Sequence, residues 1–97
     1  MDIRIKSIHF DLLPKLETFV DKKVAKLAKF HDNLLSADVT LTLITLDAPQ
    51  NKEVHIALKI KNADLFASKT RDSFEDALLD CLDALEKQLL KIKEKSL

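Results

Sequence analysis

Glycine is absent from this chain. Loops that cradle dinucleotides or phosphates need glycine for close approach of backbone amides, so a nucleotide-binding loop of the usual kind is excluded. There is one cysteine, Cys81, which cannot form an internal disulfide and fits a reducing compartment. The apolar runs are only a few residues long, too short for a transmembrane helix. The opening MDIRIK carries charges where an export signal needs an apolar core, so a cytoplasmic location is expected. His9, His31 and His55 stand alone, without the close Cys, His or carboxylate spacings of a zinc site. Asp76, Asp80 and Asp83 read as a solvated helix surface rather than an ion site, and Cys81, at an apolar helix angle, reads as a buried inert thiol. With no catalytic constellation, neither an enzyme nor a bound cofactor, metal or small-molecule substrate is expected.

What is present is a small, regularly patterned domain of 97 residues, 46% hydrophobic and 33% charged. That composition excludes disorder. Asp2 to Phe10 alternates as a strand, with Ile3 and Ile5 on one face and Arg4 and Lys6 on the other. Pro14 suits the first turn of a helix, and the apolar spacing of Leu16, Phe19, Val20, Val24, Leu27 and Phe30 predicts that the helix continues to His31–Asn33. Leu13 is a poor cap for it, and Asn33 could end it in the left-handed region. Ala37 to Leu46 and Lys52 to Lys61 alternate as strands around the loop cluster Asp47 to Asn51. A tight turn at Asn62-Ala63-Asp64 leads to a short strand over Leu65 to Lys69. Asp72 with Glu75 forms a capping pattern for a second helix reaching Lys95, whose apolar seam is Phe74, Leu78, Cys81, Leu82, Leu85, Leu89 and Ile92.

This β-α-β-β-β-α order constrains the architecture. A helical crossover makes the first two strands parallel, and short loops make the rest an antiparallel meander. The expected fold is an α+β two-layer sandwich, a four-stranded mixed sheet with both helices on one face.

Charge is balanced overall, 16 basic against 16 acidic residues, but unevenly placed. At about 100° per residue, Lys15, Lys22, Lys26 and Lys29 fall in a stripe roughly 60° wide beside the apolar face of the first helix. Lys87, Lys91 and Lys95 gather at the end of the second. Such lysines on an arbitrary helix usually serve only as solvated surface. Here two helices on one sheet face could merge them into a surface for a polyanion.

The run IKSIHFDLLPKLETFVDKKVAKLAKF, with Ile5-Lys6-Ser7 and Lys26-Leu27-Ala28-Lys29-Phe30, resembles the opening of the ribosome hibernation-promoting factor family, also called ribosome-associated inhibitors or sigma-54 modulation proteins. Asp72 to Lys95 is similar to that family's last helix, with Leu85, Gln88, Leu89 and Lys91 carrying its Leu-x-x-Gln-Leu-x-Lys ending. The resemblance implies that residues 1–97 are a single ribosome-binding domain. Its partner would be the small ribosomal subunit and its rRNA, bound in the mRNA and tRNA channel, with translation inhibited by occlusion in stationary phase or stress. No membrane is implied. Lys23, Lys26 and Lys29, with Lys87, Lys91 and Lys95, match basic family positions; Lys22 comes from the stripe alone. Lys23 lies nearer the core side and would reach outward along its aliphatic stem.

Departures from the family pattern are Ala84 at a commonly basic position, Asn62-Ala63-Asp64 in place of a glycine-containing hairpin, and a neutral total. Ending at Leu97, the chain is also expected to lack the dimerisation domain of long members. An alternative from a different class is a non-catalytic protein-interaction module, using the acidic second helix or the wet sheet face with His55, Lys59 and Lys61.

Overall fold

A computed structural model describes the backbone of residues 1–95 and the side chains of residues 1–92. Alternation becomes sheet where expected. Strands β1 (Asp2–Ile8), β2 (Leu34–Leu43), β3 (Lys52–Ile60) and β4 (Ala63–Arg71) lie in spatial order β1-β2-β3-β4. β1 runs parallel to β2, with Ile5 beside Val39; the other pairs are antiparallel, with Val39 opposite Ile56 and Ile56 opposite Ala67. Helices α1 (Pro14–Ala25) and α2 (Phe74–Lys95) complete the expected order and cover one sheet face, α1 near β1 and α2 over β3 and β4. The core lies between the layers. Val39, Leu41, Val54, Ile56 and Leu58 from the sheet meet Val20, Val24, Leu78, Leu85 and Leu89 from the helices, all buried.

Several boundaries differ from the sequence reading, each for a local reason. The first helix is α-helical only to Ala25 and continues as a 3-10 turn, η1 (Lys26–Phe30). Side chains three apart eclipse in a 3-10 turn, so buried Leu27 and half-buried Phe30 share one side while Lys26 and Lys29 stack on another. Asn33 is not a left-handed terminator. Its N–H donates to His31 Nδ1 at 3.0 Å, and positive φ occurs instead at His9 (69°) and Asn62 (73°). β2 begins three residues earlier than expected, with a register shift between Leu34 and Ser36 that leaves Leu35 exposed. β4 is longer than the predicted Leu65 to Lys69, because pairing with β3 continues from Ile60–Ala63 to Lys52–Arg71.

The α2 cap is Ser73, not Asp72. Ser73 Oγ accepts a hydrogen bond from the Asp76 N–H at 3.1 Å, satisfying one of the donors that a helix start leaves open. Phe74 then packs against Phe10, rings stacked with centroids 4.6 Å apart. The hairpin between β2 and β3 is closed by Asn51, a buried polar residue. Its amide donates to the Thr45 carbonyl, and its Oδ1 accepts from Lys52 Nζ at 2.7 Å.

Cys81 faces the sheet and is fully buried, its thiol donating to the Val54 carbonyl at 3.3 Å. Burial pushes its pKa from an ordinary 9.0 up to about 11, against a smaller lowering by Lys69. Folding thus favours the protonated thiol. That contribution is full below the unfolded value of 9.0 and is lost as the pH rises through about 11. Two outcomes follow. Cys81 should stay unreactive towards a disulfide reagent at pH 8 and react stoichiometrically once guanidinium unfolds the chain; a fast native reaction would contradict its burial. Ser73→Ala should cost about 1 kcal/mol in denaturant-unfolding stability, whereas Asp72→Ala should cost a few tenths at most.

Candidate functional site

Both helices bring charged side chains to the groove where η1 meets α2. Lys23, Lys26 and Lys29 line it together with Leu27, Phe30, Leu79, Leu82, Asp83 and Glu86, around a space of about 350 Å³. The turn geometry explains the lysine row. Lys23 lies in the last turn of α1, which ends at Ala25, and the 3-10 turn then repeats lysine every three residues on one side. Lys26 and Lys29 are exposed and form no ion pair among the described residues. Lys23 is half-buried, with Nζ 5.6 Å from the centroid of Phe19, a cation–π contact that orients its stem outward over the ring.

The stripe read from α-helical spacing divides in two. Lys15 and Lys22 line a neighbouring groove with Leu16, Phe19 and Glu75, and Lys22 also borders Ile3 and Ile5 of β1 beside Glu17 and Asp21. These carboxylates make that end of α1 electrically mixed. Lys23, placed nearer the core by helix counting, is the residue that joins Lys26 and Lys29.

The lysines of α2 are arranged differently. At about 100° per residue, Lys91 falls between Asp80 and Gln88, and Lys87 within about 20° of Asp80. Asp80 pairs with Arg71 of β4, and Gln88 Nε2 donates to the Phe66 carbonyl at 3.2 Å, so this flank leans towards β4. Leu79, Leu82 and Glu86 occupy the other flank, facing η1. Lys87 and Lys91 are exposed, but not in the groove that holds Lys23, Lys26 and Lys29. Lys87 is also matched to Asp83 at 3.1 Å, both groups more than half exposed. Such a pair is worth only a few tenths of a kcal/mol, about 0.3–0.5, yet it reduces the local positive field. The side chain of Lys95 lies outside the described residues.

Neutralisation elsewhere sharpens the contrast. Arg4 pairs with Asp38 at 3.7 Å on the open sheet face, and the hydrogen bond that Arg71 Nη1 donates to Asp80 Oδ2 raises the already high pKa of Arg71. Among the described residues no group of His, Cys, Asp and Glu could hold a metal ion. No described helix is long and apolar enough to cross a membrane. The open face carries Phe66, 67% exposed, beside His55 with ring centroids 6.2 Å apart.

Sequence reasoning missed the apolar lining and the carboxylate wall of the groove. Leu79 was visible as a leucine off the α2 seam, and Asp83 with Lys87 as an i,i+4 pair. What could not be seen was which flank of α2 faces η1, since that depends on packing.

Comparison with known proteins agrees with the fold and extends across the chain. Ribosome-associated factor Y of Haemophilus influenzae is 28% identical over 96 residues, covering 99% of this chain and 86% of that protein. The ribosome hibernation promoting factor of Azotobacter vinelandii is 25% identical over 97 residues, covering 100% of this chain and 87% of its own. Among solved structures, the N-terminal domain of Thermus thermophilus Protein Y superposes with a TM-score of 0.81 at 22% identity, covering 95% of this chain and 99% of that one. A ribosomal subunit interface protein from Coxiella burnetii gives 0.80 at 21% identity, covering 97% and 99%. These two structures share the fold, a four-stranded sheet under two helices. The sequence matches one family's model over residues 3–96, from β1 through α2, and the chain belongs to that family, described as Sigma 54 modulation protein / S30EA ribosomal protein.

Proposed function

We propose that this protein is a cytoplasmic, non-enzymatic ribosome-binding factor, which occupies the mRNA and tRNA channel of the small subunit, contacts its rRNA and blocks translation while ribosomes are idle. The observation that carries this reading is the lysine row of η1, Lys26 and Lys29, which forms no ion pair among the described residues and is joined by Lys23 in the last turn of α1. A row held on a 3-10 turn beside an apolar groove can neutralise successive phosphates, and each contact contributes by counterion release. The names of the two relatives, a ribosome-associated factor and a hibernation promoting factor, support the same partner. Lys22, Lys87 and Lys91 would add flanking contacts to the same polyanion outside the groove, and Lys95 is proposed as a further contact to it. A second reading, docking of another protein on the open sheet face, is favoured by the exposure of Phe66.

Sucrose-gradient sedimentation of a lysate at low salt separates the two. The protein should travel with small subunits or whole ribosomes; remaining at the top of the gradient would defeat the ribosome reading. With purified subunits, Lys26→Glu combined with Lys29→Glu should weaken binding at least tenfold. It should also flatten the plot of log affinity against log salt by about 1.4 to 1.8, two phosphate contacts at 0.7 to 0.9 each. An unchanged slope would show that these lysines touch only solvent.

A further inference from the structure

The groove between η1 and α2 contains a feature that phosphate binding leaves unexplained. Lys26 and Lys29 come from η1 and Glu86 from α2, with Leu79, Leu82 and Phe30 supplying apolar lining. Opposite charges thus share one groove, yet Glu86 forms no ion pair with either lysine. The two rims stand apart across a space of about 350 Å³. A surface built only for a phosphate chain gains nothing from a carboxylate there, because it repels the ligand.

A ligand that suits all three parts is negative at one end, flat and apolar in the middle, and rich in N–H donors at the other. An unpaired guanine nucleotide has this form. Its phosphate meets the lysines, and its purine face meets Phe30 and Leu79, the latter 44% exposed. Its N1–H and N2–H point the same way and can donate to both oxygens of one carboxylate, the bidentate arrangement that is strongest for charge-assisted hydrogen bonds. Uracil offers one N–H between two carbonyls that would oppose a carboxylate. Cytosine and adenine offer an amino group without the second parallel donor. Asp83 already has an ion-pair partner in Lys87, whereas Glu86 has none among the described residues, which favours Glu86 as the reading group.

We propose that this groove holds a single unpaired guanine nucleotide, with Lys26 and Lys29 on its phosphate and Glu86 on its N1–H and N2–H edge. The proposal rests on the ribosome reading above and deepens it, by naming the nucleotide that the lysine groove selects.

The test uses the full chain, labelled with ¹⁵N, and two single-stranded RNA heptamers, UUUGUUU and UUUUUUU, titrated at low salt. Amide shifts should centre on Lys26, Lys29, Leu82 and Glu86, and the guanine-containing strand should bind about tenfold tighter. Glu86→Gln should reduce that strand's affinity to the level of oligouridine and leave oligouridine binding no weaker. The amide spectrum of the variant shows directly that it is folded. Equal affinities for the two strands, a guanine preference that survives Glu86→Gln, or shifts centred on another surface would each overturn the assignment. Sedimentation with ribosomes combined with equal affinities removes the guanine site and leaves the ribosome reading intact. A guanine preference without sedimentation keeps the site and removes the ribosome as its host.

Discussion

The rest of the structure depends on burial of one face of the sheet beneath α2. Val39, Ile56 and Ala67 form a row across three strands, and Leu78, Leu85 and Leu89 close over the buried sheet face. Truncating one such leucine typically removes about 2–5 kcal/mol, against a total stability of about 5–15 for a domain. The seam therefore tolerates little rotation. Once it points at the sheet, the two flanks of α2 are assigned as well. Asp80 and Gln88 turn towards β4 and are tied there by Arg71 and the Phe66 carbonyl, while Leu79, Leu82 and Glu86 turn towards η1. The composition of the lysine groove is a consequence of core packing rather than a separate design.

Absence of glycine places a second constraint on the chain, since tight reversals normally use it. Asparagine and histidine take its place. Both tolerate positive φ better than most residues with a side chain, at a cost of about 1–2 kcal/mol each. Asn62 turns β3 into β4, and His9 turns the chain out of β1, just before Phe10 stacks on Phe74. The longer reversal between β2 and β3 relies on the buried amide of Asn51 instead. The turn after β1 is thus backed by a stacked ring and the reversal at Asn51 by a side-chain amide, while Asn62 turns the chain through its positive φ.

Much of this was legible in the sequence because the sheet is buried on one side. Alternation at Val54, Ile56, Leu58 and Ile60 reveals a strand and its inward face together, and the parallel pairing of β1 with β2 follows from the helix between them. Local geometry was less legible. The repeat Lys-Val-Ala-Lys-Leu-Ala-Lys-Phe fits an α-helix and a 3-10 turn equally well, because residues three apart are neighbours in both. Asp72 and Ser73 are both good caps, and only the path of the chain into Phe74 decides between them. The candidate site falls into this second class. Its lysines were visible as a row, but the switch to η1 changed the membership of the row, exchanging Lys22 for Lys23 in the groove.

Zero net charge is compatible with a polyanion-binding surface because of where the pairing occurs. Arg4, Arg71 and Lys87 are matched by Asp38, Asp80 and Asp83, on the open sheet face, at the β4 edge and on α2. Lys26 and Lys29 have no such partner among the described residues. Screening at physiological salt limits an exposed charge to about 8 Å, so a phosphate entering the groove responds to its walls and hardly at all to the protein's total. The neutral sum does remove long-range attraction, which would otherwise hold the protein on any nucleic acid it met. With little non-specific attraction, the affinity of the proposed interface would have to come from contacts made inside the groove. A carboxylate among its lining opposes phosphate at short range, but in the proposed guanine site it would contribute to selection, which a uniformly basic groove could not do.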